Sequence, residues 1–232
     1  MEKKHPHLHN TPTVINANFF NRDTLAVARE LLGMKITRQL ANGKQIAGII
    51  VETEAYVGEN DRACHASRGK TARNAPLYAG PGTIYVYFTY GMHYLFNIVT
   101  EREGYPAAVL IRAVMPLFGM DYMAQKRYNA KNLDAQQIKN LANGPAKFTQ
   151  AFGIDKRFNT KPLKRDTLWV SELSSTERQA LITATHHQIV WNALSIATAP
   201  RIGVAYAGEC ALWEYRFYLS SKPFIDFVSI SQ

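Results

Sequence analysis

The sequence predicts an α+β fold: a single domain with a curved, mainly antiparallel sheet, surrounding helices and a protruding β-hairpin. Three observations carry this. Strand-like segments arrive in pairs joined by short turns, helical spacing is concentrated in a different part of the chain, and no repeat, low-complexity tract or Pro/Gly/Ser linker divides the 232 residues. With 47% hydrophobic and 11% aromatic residues the chain can bury a substantial core, which excludes a disordered protein. Residues 1–18 are expected to form a flexible N-terminal segment and residues 19–232 the domain.

The elements follow in order. Asp23 caps a helix whose apolar positions Leu25, Ala28, Leu31 and Leu32 recur at helical spacing, with Gly33 as its stop. A hairpin follows, Lys35 to Arg38 and Gln45 to Thr53. Asn42-Gly43 is expected to make a two-residue turn because both residue types tolerate positive φ. A second hairpin joins Thr83–Phe88 to His93–Val99 through Thr89-Tyr90-Gly91-Met92, and Ala107–Ala113 reads as a buried strand. Residues 119–152 read as helical, broken at Asn143-Gly144-Pro145 with Pro145 in the first turn of the next helix. Tyr215–Leu219 is a further short strand.

Charge narrows the partners. There are 27 Lys+Arg against 18 Asp+Glu, a net charge of +9, and the segment from Lys126 to Arg165 alone carries +8 of it. A lysine-rich segment taken singly reads as a solvated helical face. Concentration of nearly all the excess in one part of the chain points instead to a surface that follows phosphates. The two cysteines, Cys64 and Cys210, are too few for a disulfide scaffold or a four-thiolate metal site and fit a reducing compartment. The start is charged but is followed by no apolar core of signal-peptide length. The most apolar stretch, Ala107 to Phe118, is broken by Arg112 and Pro116 and is too short to span a bilayer. A cytoplasmic protein with no membrane association is expected, and a monomer, because no heptad pattern appears.

Two segments stand out chemically. The apolar strand Ile49-Ile50-Val51 runs into Glu52-Thr53-Glu54-Ala55-Tyr56, and regular alternation puts Glu52, Glu54 and Tyr56 on one face. Spacing alone is satisfied by a strand emerging into solvent. The functional reading is a carboxylate held at a pocket rim as a general base, a costly placement in a protein built to meet a polyanion. His65, beside Cys64, lacks the further ligands that zinc needs, and His5, His7, His9 and His186-His187 do not supply them, so no metal is expected. Cys64 reads as a buried thiol.

The second segment, Tyr85 to Phe96, holds seven ring-bearing residues in twelve positions when His93 is counted. Packing between strands explains most of them. Tyr90 and Met92 flank Gly91 in the turn, where the protein's own core offers them little; there they suit a wedge between stacked bases, or equally a protein contact. Tyr87 suits stacking on an extruded base.

Taken in order, Ala28–Gly33, Ile50–Tyr56, Pro81–Tyr87, Tyr90-Gly91-Met92, Asn97-Ile98, Val109–Ala113, Gly144–Lys147, Arg201-Ile202-Gly203 and Gly208-Glu209 resemble the alkyladenine DNA glycosylase family from about Phe19 to Leu219. The resemblance implies a single α/β domain that binds duplex DNA from the minor groove and rotates a damaged purine into a pocket. It implies excision of alkylated or deaminated purines such as 3-methyladenine, 7-methylguanine, hypoxanthine and ethenoadenine, with no cofactor. It matches Glu54 to the general base and Arg112 to the arginine that holds the water and nearby backbone. Tyr56, His65 and Tyr87 match the base-sandwiching walls, Asn97 the gate against normal guanine, and Tyr90 the wedge with Met92 beside it. Lys147 falls in a matched block and is expected to meet DNA. Around Ala66–Arg73 the chain is one residue shorter than in animal members, and 129–141 and 156–196 align poorly. No lysine occupies a matched pocket position, so strand-cleaving lyase chemistry is not expected. A non-catalytic nucleic-acid-binding module would share the basicity and aromatics but gives Glu54 no purpose; a small-nucleoside hydrolase gives the basic segment none.

Overall fold

A computed structural model describes residues 13–185 and 187–228. Residues 1–12, which include most of the N-terminal segment expected to be flexible and its three histidines, lie outside the described residues, as does His186. Of the rest of that segment, Val14 bridges to Ser171 and the Asn16 side chain caps the turn Ala17–Phe20, α1.

Helix α2 (Thr24–Glu30) begins as expected, with the Asp23 carboxylate accepting the Ala26 N–H at 2.8 Å. Its buried Val27, Ala28 and Leu31 pack on the sheet. Gly33 follows at φ +84° and donates its N–H to Ile50, which fastens the helix end to the next hairpin. Strands β1 (Lys35–Gln39) and β2 (Gln45–Val57) form that hairpin. Its turn differs from expectation. Leu40 and Lys44 close a three-residue loop and only Gly43 takes positive φ, so the connection is a turn followed by one left-handed residue rather than a two-residue turn.

Strands β3 (Ile84–Thr89) and β4 (His93–Val99) make the second hairpin, and β5 (Ala107–Phe118) runs on five residues past the expected strand end at Ala113. The later strands are β6 (Leu168–Ser171), β7 (Ile196–Ala199) and β8 (Arg216–Leu219). All eight belong to one sheet in the order β3-β4-β5-β2-β1-β6, with β8 pairing the second half of β2 where β1 leaves off, and β7 outside β8. Each of these pairings is antiparallel, in agreement with the predicted class.

The helical region is more broken than its sequence pattern implied. It contains α3 (Met120–Tyr128), α4 (Ala135–Lys139) and α5 (Pro145–Phe152), and a second break falls where Asn129 turns left-handed at φ +53° and Asp134 starts a new capping box. Pro145 opens α5 as expected. Phe148 and Phe152 of α5 are buried with their ring centres 4.8 Å apart at a tilt of 57°, and Phe96 of β4 completes the cluster. Helix α6 (Ser175–Thr185) lies near the C-terminal end of the fold. No helix among the described residues is long and apolar enough to cross a membrane.

One irregularity positions the chemistry. Ile50 pairs with Val114, but Glu52 pairs with Ala113 and Thr53 with Ile111. Val51 is therefore an extra residue on β2, and Arg112 an extra residue on β5. The two bulges cancel, so register is restored at Glu54 and Leu110.

Candidate active site

From Thr53 onward the pairing of β2 with β5 is regular, and the acidic end of β2 forms a buried cluster. Glu52 and Glu54 have no exposed surface, and the bulged Arg112 reaches between them, with Nε 3.0 Å from Glu52 Oε1 and Nη1 3.1 Å from Glu54 Oε1. Arg216, arriving on β8, donates Nη1 to the same Glu52 oxygen at 3.0 Å. Burial alone would lower the basicity of Arg112, but the charges of Glu54 and Glu52 outweigh it and hold the guanidinium protonated. Charges this deep persist only because each is paired and hydrogen-bonded.

Glu54 accepts two hydrogen bonds and is ion-paired besides. Oε1 accepts from the backbone N–H of Ile202 at 2.8 Å and lies 3.1 Å from Arg112 Nη1, and Oε2 accepts from the Tyr56 hydroxyl at 2.7 Å. A carboxylate has about four acceptor sites, so one on Oε2 remains. Burial, followed by the adjacent Glu54 charge, raises the Tyr56 phenol well above its ordinary value, so it stays a donor.

These groups form one end of a cavity of about 340 Å³, near the low end of the range for small-molecule sites, about 300–1,000 Å³. Glu54, Tyr56, His65, Tyr87, Asn97 and Arg112 all line it. The His65 and Tyr87 rings meet edge to face at 4.4 Å, and His65 Nδ1 is hydrogen-bonded to the buried Tyr85 hydroxyl at 2.8 Å. Burial and then the positive charge of Arg73 lower the basicity of His65, which keeps it neutral at neutral pH. Asn97 donates its amide to the Tyr85 carbonyl at 3.1 Å. Cys64 is buried and its thiol is pushed up to about 11 by burial, so it is an unreactive wall as expected.

The mouth is framed by the β3–β4 tip. Tyr90, 81% exposed and held at φ +52°, lines the cavity edge, whereas Met92, 68% exposed, projects beside it without lining the cavity. Tyr206 closes the other side from the segment Ala205–Leu212. Lys147 is not brought to the cavity. It sits in the first turns of α5, donating to Asn140 at 3.1 Å and Asn143 at 2.9 Å. No group of three or more potential metal ligands occurs among the described residues.

Several supporting residues escaped the sequence reading. Asp61 and Arg201, 140 positions apart, form a buried two-pronged pair, with Nη2 to Oδ1 at 2.8 Å. Arg201 also donates to the Ala55 and Cys210 carbonyls and lies 4.8 Å from the Tyr56 ring centre. The pair anchors the loop that presents Ile202 to Glu54; the only hint in the sequence was the stretch Arg201-Ile202-Gly203. Arg62, Arg68 and Arg73 line an adjoining hollow with Ser67, and share His65 and Tyr206 with the main cavity.

A buried carboxylate facing an aromatic-lined cavity, with a basic hollow beside it and large exposed side chains at its mouth, is the kind of site found in an enzyme that acts on an aromatic group of a polyanion. Comparison with known proteins narrows that class. Residues 18–223 match the model of the family described as "Methylpurine-DNA glycosylase (MPG)". A protein of Desulfitobacterium hafniense is 42% identical over 215 residues, covering 91% of this chain and 98% of that protein. One of Methanocella arvoryzae is 43% identical over 213 residues, covering 92% and 96%, and one of Bacillus cereus is 38% identical over 210 residues, covering 90% and 97%. All three carry the name "Putative 3-methyladenine DNA glycosylase". The chain belongs to the methylpurine-DNA glycosylase family, enzymes of alkylated-purine DNA repair.

Proposed function

We propose that this protein turns alkylated or deaminated purines out of duplex DNA and hydrolyses their N-glycosidic bond with a water activated by Glu54, leaving an abasic site. The observation that carries the reading is the buried Glu54 carboxylate beside the cavity, oriented by the Tyr56 hydroxyl, the Ile202 N–H and the Arg112 ion pair, with acceptor capacity left on Oε2.

Breaking the glycosidic bond builds oxocarbenium character on the sugar, as in O-glycoside hydrolysis. The ionised Glu54 stabilises that charge and accepts a proton as the water oxygen bonds to C1′. The electron pair of the C1′–N bond leaves with the purine. A cationic methylated purine departs neutral and needs no acid, and the Tyr56 and Tyr87 rings favour its positive charge. His65, neutral, contributes a flat wall without repelling that charge. Arg112 orients Glu54 and the backbone beside it. Asn97 discriminates against normal guanine by crowding its exocyclic amine.

Outside the cavity, Tyr90 takes the place of the extruded base, with Met92 against the neighbouring step. Arg62, Arg68 and Arg73 meet the phosphates flanking the flipped nucleotide, and Lys147 meets phosphate on the α5 side. The protein acts as a monomer without a cofactor.

The test is incubation with duplex carrying 3-methyladenine or hypoxanthine, followed by alkali. Strand cleavage at the lesion is expected, and its absence would favour a module that binds without excising. Glu54→Gln should keep lesion binding and lose roughly 10²- to 10⁴-fold in single-turnover excision. Excision at the normal rate by that variant would remove Glu54 from the mechanism.

A further inference from the structure

Glu54 is not paired one-to-one. Arg112 divides its guanidinium between two carboxylates, Nε to Glu52 and Nη1 to Glu54, and Arg216 in turn neutralises Glu52. Glu52 does not line the cavity and has no exposed surface, so it does not meet substrate. We infer that Glu52 is a positioning residue for the reaction: by holding Nε of Arg112 it fixes the guanidinium plane so that Nη1 faces Oε1 of Glu54 and Oε2 is left clear. Glu54 thereby keeps its free acceptor site.

The geometry makes the point physically. A guanidinium facing a single carboxylate prefers two parallel hydrogen bonds, which would occupy Oε2 as well as Oε1. Here one prong is spent on Glu52, and Oε2 is left to Tyr56 and to one further donor. The bulge that makes Arg112 an extra residue on β5 is what places it level with both acids. Arg216 completes the row, so two acids and two arginines alternate.

The inference rests on the proposed role of Glu54, and the test separates the two. Glu52→Gln retains an acceptor oxygen but removes the charge that competes for Arg112. It should lower single-turnover excision roughly 10- to 100-fold, with affinity for lesion duplex unchanged within about twofold. The groups facing Glu54 are Tyr56 of β2, Arg112 of β5, Tyr87 of β3, Arg201 and the Ile202 N–H of the preceding loop, with Glu52 and Arg216 behind Arg112. Removing the Glu52 charge leaves an excess of positive charge beside Glu54, so the acid limb of the excision profile should move to lower pH. Arg216→Gln removes positive charge and should move that limb to higher pH. The double variant, which restores neutrality, guards against poor folding of either single one and should bring the limb back toward its original position.

A purely structural role would lower rate and melting temperature without opposite displacements. Unchanged excision by Glu52→Gln at every pH, or displacement of both single variants in the same direction, overturns the inference. Should Glu54→Gln excise normally, the underlying reading of Glu54 has failed instead.

Discussion

The cavity floor and the β3–β4 tip solve opposite problems. On the floor and directly behind it, Glu54, Arg112, Glu52, Asp61 and Arg201 are all buried, and nearly every polar atom is matched to a partner supplied by another strand or loop. At the tip, Tyr90, Met92 and Phe88 present large apolar surface to solvent on a backbone turned left-handed at Tyr90 and Gly91. The floor spends its free energy within the molecule and holds one arrangement. The tip defers its gain until something covers it. Preorganised chemistry and opportunistic grip thus occupy the two ends of a single cavity.

The contrast is open to breakage at either end. The largest effect is expected from Asp61→Asn, which strands the buried Arg201 charge. Such a break costs about 3–5 kcal/mol, a fall of roughly 6–20 °C in melting temperature for a chain of this size, and should be read by calorimetry. A loss no larger than that of a surface substitution would mean the floor is less interlocked than its bonding implies.

Tyr90→Ala should do the reverse. Melting is expected to stay within about 0.5 kcal/mol of the parent, as for exposed positions. Affinity for lesion duplex should fall roughly 5- to 100-fold, since a lost aromatic–base stack is worth about 1–3 kcal/mol. Equal affinity for a duplex carrying an abasic-site analogue would remove the wedge.

The smallest effect lies between the two regions, at His65. Its basicity is lowered in the folded state, so the unfolded chain binds this proton more readily. Stability is therefore fully present above about pH 6.5 and declines as pH falls from there toward the lowered folded value. His65→Gln should flatten that part of a melting-temperature profile, and identical slopes in variant and parent would contradict it.

The same division explains what could be read beforehand. Local signals were legible: the Asp23 cap, both hairpins, the Pro145 helix start and the shared face of Glu52, Glu54 and Tyr56 all follow from spacing within a few residues. The tip was legible too, because apolar side chains at a turn have no internal partner. What escaped depends on residues far apart in the chain. Arg216 reaches Glu52 across 164 positions and Arg201 reaches Asp61 across 140, and no periodicity encodes either contact. The left-handed Asn129 was likewise hidden inside an otherwise helical pattern. Lys147 was named for its place in a matched block, and the two asparagines that hold its ammonium are contacts no such block reveals.

The matched bulges at Val51 and Arg112 carry a constraint on how this gene can change length. Each extra residue is offset by the one on the facing strand, so removing either alone would leave the other bulge without its counterpart beside Glu52. A compensating change in the facing strand would undo the error. Changes of length at this seam are therefore expected to come in pairs.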